Sequence, residues 1–104
     1  MAQVKVVFFI PIKDNDGRDL TAEKDELELE LLVAFVGWTC LGIVQGAYRM
    51  KDGTRSVDEH RAYTILLDES LLPEVEQVLR NFKAKTTQEA IYLEVQYHVM
   101  LRLV

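Results

Sequence analysis

Apolar and polar positions switch between two periods along this chain, and the switches outline six elements. Val4–Ile10 is almost continuously apolar, as in a strand covered on both faces. Pro11 donates no N–H and ends it. Lys13-Asp14-Asn15-Asp16-Gly17 is a polar turn cluster. The stretch after Thr21 is ambiguous, because Glu26–Leu31 alternates with the period of a strand. Leu and Glu favour helix, however, and no β-branched residue stands between Ala22 and Leu32. Asp19 or Thr21 can accept from the free N–H groups of a first turn, and Glu23, Asp25 and Glu26 suit its positive end. Leu27, Leu31, Ala34 and Phe35 share a helical face, which Leu32 and Val36 widen. The pattern predicts a helix closed by Gly37 in the left-handed conformation.

Gly42–Met50 reads as a second strand, and Lys51-Asp52-Gly53-Thr54 as the hairpin turn that follows. A third strand is expected over His60–Leu67, apolar on both faces. Ser70 is the expected cap of a second helix with Pro73 in its first turn and Leu72, Val75, Leu79 and Phe82 as its buried stripe. Ile91–Leu103 alternates throughout and predicts a final strand of thirteen residues. The order β-α-β-β-α-β is the ferredoxin-like split β-α-β plan, an α+β fold over residues 1–104 as one domain. It predicts a four-stranded antiparallel sheet in the order 4-1-3-2 with both helices on one face. The other face is left for solvent, a ligand or another subunit.

Charge and composition narrow the function. A net charge of −5 over 104 residues, with no basic run, argues against a nucleic-acid partner. No apolar stretch approaches the roughly 18 residues of a membrane span, and the opening residues read as a strand rather than a signal peptide. Cys40, the one cysteine, allows no internal disulfide and fits a reducing compartment. The expectation is a cytoplasmic globular protein without a cofactor.

The candidate chemistry is sparse. His98 shares the polar side of the last strand with Glu94 and Gln96, and His60 enters the third strand beside Asp58 and Glu59. Imidazole beside carboxylate can move protons or hold a metal, but no third partner is indicated and no metal spacing is present. Asp14-Asn15-Asp16-Gly17 has the look of a calcium loop, yet Ile12 occupies the first ligand position. Gly42-Ile43-Val44-Gln45-Gly46-Ala47-Tyr48-Arg49 resembles the phosphate loop of acylphosphatases in residue type. It follows the first helix rather than the first strand, and its spacing to Arg49 is one residue short. Trp38 is expected to pack a helix end, and Cys40 has no cationic neighbour in sequence to activate it. Phe35-x-Gly37-x-Thr39, Gly46-x-Tyr48, Gly53, Glu59 and Gln88-Glu89-Ala90-Ile91 together resemble a small bacterial family of unknown function. In that family Gly-x-Trp stands where this chain has Gly46-Ala47-Tyr48. The resemblance implies the same fold and a bacterial cytosolic setting, and no activity.

Two functions follow. The first is a non-enzymatic homodimer, or other homo-oligomer, that binds a partner or ligand through the open sheet face and its long last strand. The alternative is a dimeric α/β-barrel enzyme acting on a small molecule. Tyr48, His60, Tyr63, Glu94 and His98 are the candidate lining residues in either case.

Overall fold

A strand that faces a helix layer on one side alone should bury every second residue, and the opening strand does. In β1 (Gln3–Pro11) Val4, Val6, Phe8 and Ile10 are fully buried, while Lys5, Val7 and Phe9 between them are half-buried. The computed structural model describes residues 2–49 and 51–104. The other elements are α1 (Thr21–Phe35), β2 (Thr39–Arg49), β3 (Arg55–Asp68), α2 (Leu72–Ala84) and β4 (Tyr92–Gln96). A single 3-10 turn, Glu69–Leu71, leads into α2. All pairings are antiparallel and the sheet order is β2-β3-β1-β4, the expected ferredoxin-like order read from the opposite edge. Leu27 and Leu31 of α1 and Val75, Val78, Leu79 and Phe82 of α2 close the core over β1 and β3.

Tyr63 fixes α1 over β3. Its ring stacks on Phe8 and meets Trp38 edge-on, and its hydroxyl donates to Glu28 Oε2 at 2.6 Å. The Trp38 indole N–H donates to the Glu28 carbonyl at 3.0 Å, so one turn of α1 is held by two aromatic residues. Burial, then the bond to Glu28, push the Tyr63 phenol well above its ordinary range, so it stays a donor.

Several boundaries differ from expectation. Val36, not Gly37, takes the left-handed backbone at the end of α1, with φ +70°. Ala34 is exposed, and Leu32 and Val36 do not widen the buried face. With Leu29 and Val33 they form a second stripe turned to solvent, where Val33 is 82% and Val36 93% exposed. Asp68 rather than Ser70 caps the approach to α2, its carboxylate accepting from the Ser70 N–H at 2.9 Å. The acylphosphatase-like stretch is paired strand rather than a loop, with a bulge at Cys40/Gly42 where Gly42 has φ +108°. The expected last residue of the second strand, Met50, lies outside the described residues. β3 begins at Arg55, five residues before His60, because β2 pairs with it as far as Arg49↔Arg55.

The largest correction concerns the last strand, which runs for 5 residues instead of thirteen. Its ladder on β1 ends at Lys5↔Gln96, and β1 itself begins at Gln3. His98 then adopts φ +61° and turns the chain away. In the same register β1 would reach only Tyr97 and His98, so the alternation from Val99 onward has no strand of its own sheet opposite it.

A valine at positive φ is strained, and Val36 has little packing to lose. Val36→Gly should stabilise the fold by about 0.5–1 kcal/mol after the extra unfolded-state entropy of glycine. Urea denaturation of the two proteins measures it, and a loss of stability would contradict the strain.

Candidate functional site

Where β1 ends, the chain needs new partners for its backbone, and these partners build the site. The Ile12 N–H donates to the Glu59 carbonyl at 3.3 Å, and the Leu20 N–H returns to the Ile12 carbonyl at 3.1 Å. Between them Asp14, the one buried charged residue among those described, gathers donors from across the molecule. It accepts from the Thr87 hydroxyl at 2.7 Å, the Thr87 N–H at 2.9 Å, the Gln88 side-chain amide at 3.1 Å and the Asn15 N–H at 2.9 Å. Arg18 Nη2 adds an ion pair at 3.4 Å. Burial alone would push this carboxyl up, but bonds from the Thr87 side chain and backbone, Gln88 and Asn15 outweigh it. They hold it well below the usual carboxylate range. The acidic turn seen in the sequence is therefore a clamp between the β1–α1 loop and the α2–β4 connection.

Opposite that loop, β2 and β3 continue as a two-stranded arm past Pro11, which pairs with His60. The arm lengthens the molecule to 45 Å against 27 and 25 Å in the other directions. Between arm and loop lies a cleft of about 570 Å³. Lys13 and Asn15 line it from the loop, Gln45, Asp58, Glu59 and His60 from the arm, and Gln88 from the α2–β4 connection. His60 is half-buried, and its buried Nδ1 makes no hydrogen bond. Burial pushes its pKa down and Asp58 only partly offsets this, so the ring is neutral at pH 7. No three His, Cys, Asp or Glu side chains gather in a metal-binding arrangement among the described residues.

The five residues expected to line a site are dispersed. His60 alone of them lines this cleft. Tyr48 lies farther out on the arm with its ring over Gly46, where a Cβ would sit 2.8 Å from the Tyr48 hydroxyl and push that exposed ring aside. Tyr63 points the other way, into the core beneath α1. Glu94 is on the open face, accepting from Tyr92 at 2.8 Å and from Gln96 at 2.5 Å. His98 is exposed beyond the end of β4 and belongs to neither group.

Sequence reasoning missed the open-face aromatic group: Phe9 stacks on Tyr92 at 4.5 Å and reaches His60 at 6.2 Å. Alternation along β1 contained that signal, since Phe8 inside requires Phe9 outside. It also missed Lys13, Asn15 and Gln45. Gln88 was visible only as a member of the family-like motif, and Glu59 there and as a neighbour of His60.

No family model matches the chain. No curated protein matches it either. Solved structures do resemble it. CutA1 from Oryza sativa superposes with TM-score 0.72 at 13% identity, covering 98% of this chain and 84% of that one. A divalent cation tolerance protein (CutA1) from Thermus thermophilus gives 0.64 at 10% identity, covering 89% and 81%. A phage SAM lyase in complex with S-methyl-5′-thioadenosine gives 0.68 at 13% identity, covering 91% and 81%. At these identities the likeness establishes the fold and no more.

The clamp gives a pH signature. A carboxyl held low in the folded state contributes stability above its ordinary pKa of 3.8, and this is lost as pH falls through the folded value. Asp14→Asn keeps one acceptor oxygen for several donors, so its melting temperature should fall at pH 7. The gap from wild type should then narrow steadily below pH 3.8. Thermal melts across pH measure it, and a gap unchanged down to the acid limit would remove the clamp from the account.

Proposed function

We propose that this chain is a homo-oligomeric module that binds a small polar molecule in the cleft between the β2–β3 arm and the β1–α1 loop. The cleft itself carries the reading. Around one hollow stand a cation (Lys13), three amides (Asn15, Gln45 and Gln88) and the carboxylates Asp58 and Glu59, on opposite faces of β3. Such a set complements a ligand with both donors and acceptors, and the Asp14 clamp fixes its loop side before the ligand arrives. The uncovered sheet face supports assembly. Val7, Phe9 and Tyr92 lie on the side away from both helices, and among the described residues no second layer covers them.

An enzymatic reading has one specific support, the neutral His60 beside Asp58 and Glu59 in the same cleft. A neutral imidazole can take a proton from a bound substrate. The phage SAM lyase of the same fold adds a reaction worth assaying. S-adenosylmethionine consumption abolished by His60→Ala would establish catalysis, and no turnover by wild type would leave binding alone.

Native mass spectrometry of freshly purified protein tests the main proposal. The expected spectrum shows an assembly of 12.0 kDa chains with extra mass that denaturation releases. Glu59→Lys should lose that mass and keep the assembly. An assembly of bare chains, with a melting temperature unmoved by a metabolite panel including S-methyl-5′-thioadenosine, would overturn the binding role.

A further inference from the structure

Helix α1 carries two apolar faces, and its own fold uses only one. Leu27 and Leu31 are buried in the core over β1 and β3. One flank of the helix, bearing Glu26 and Glu30, meets Asn81 of α2 and Lys85 just after it. The other flank is engaged at Glu28, which holds Tyr63 and Trp38. Leu29, Leu32, Val33 and Val36 take part in none of these contacts, and each is more than half exposed. Their spacing of i, i+3, i+4 and i+7 is that of a helix face built to pack on another surface. The stripe runs unbroken for two turns, about 10 Å.

Charge decides what fits this stripe. α1 carries Glu23, Asp25, Glu26, Glu28 and Glu30 against Lys24 alone, and Lys24 is already held by Asp25 at 2.8 Å and Glu28 at 3.4 Å. Asp25 and Glu26 remain exposed, although Lys85 reaches Glu26. No basic residue stands in the last turn, so the negative end of the helix dipole beside Val36 is unanswered too. Val36 itself is held at φ +70°, a strained state for valine, although Gly37 follows it directly. A second copy would bring the same carboxylates to the stripe with no spare lysine on its α1, and two turns are short for a permanent subunit contact. An anionic lipid surface is disfavoured by the same carboxylates.

We infer that Leu29, Leu32, Val33 and Val36 dock a basic amphipathic helix of another protein. Apolar residues of that helix, at the same spacing, lie along the stripe. Its lysines or arginines meet Asp25, Glu26 and the last carbonyls of α1. No α1 residue lines the cleft, so the inference stands apart from the ligand proposed there.

The probe is a fluorescein-labelled peptide of leucine and lysine with helical apolar spacing, titrated with the full chain and read by fluorescence anisotropy. One control peptide has the same residues in strict alternation, and another replaces lysine with glutamate. Wild type should bind the first with a Kd on the order of micromolar and the controls far more weakly, and added salt should loosen the complex. Leu29→Gln with Val33→Gln keeps the charge and the helix propensity, and should weaken binding about tenfold or more. Val36→Gly should weaken binding as well, while its urea midpoint holds or rises, a split that a merely structural valine would not give. No binding by wild type, equal binding of either control, or a stripe variant that binds like wild type overturns the inference. So does a wild-type assembly that the Leu29→Gln, Val33→Gln variant loses, because that result gives the stripe to a second copy.

Discussion

The length of β1 is the constraint on which the rest depends. It is one of the two strands paired on both sides, its inward face supplies four fully buried core residues, and it stops at Gln3 and Pro11. Everything its neighbours have beyond those limits must find other partners. At the Pro11 end, β3 continues with β2 as a free arm, and the loop after β1 folds back towards it, creating the cleft. At the other end the β4 ladder stops at Lys5↔Gln96, two residues short of Gln3, where the chain bends at His98. The proposed binding site is thus a consequence of where β1 stops at Pro11.

The two ends are stabilised differently. At the cleft, a single buried carboxylate answers donors from Thr87, Gln88 and Asn15, which a neutral side chain of the same shape could not do. Asp14 uses its acceptors internally, and Lys13, Asp58 and Glu59 line the cleft where the proposed ligand would sit. Past Gln96 there is no such lock, and Leu101 and Leu103 are exposed.

The fold was legible because it rests on periodicity. Val4–Ile10, the α2 stripe and the order of elements all follow from burial on one side or both. Errors arose where local chemistry had more than one solution. Gly37 was a sound choice for a helix end, but the chain turns one residue earlier at Val36. The alternation of Ile91–Leu103 states which side chains share a face, yet not whether a partner strand exists. Tyr63 looked available for a site because alternation cannot say which face the helices take; the register with Phe8 decides it. Lys13, Asn15 and Gln45 come from separate segments joined only by the Asp14 clamp and the arm, so no local pattern could group them.

Hydrogen exchange at the backbone amides of Asn15 and Thr87 tests the central claim most directly, namely that one buried carboxylate holds the loop side of the cleft. Both amides should be protected in the wild type and exchange freely in Asp14→Asn, while β1 amides stay protected in both. Unchanged protection of Asn15 and Thr87 in the variant would contradict the account.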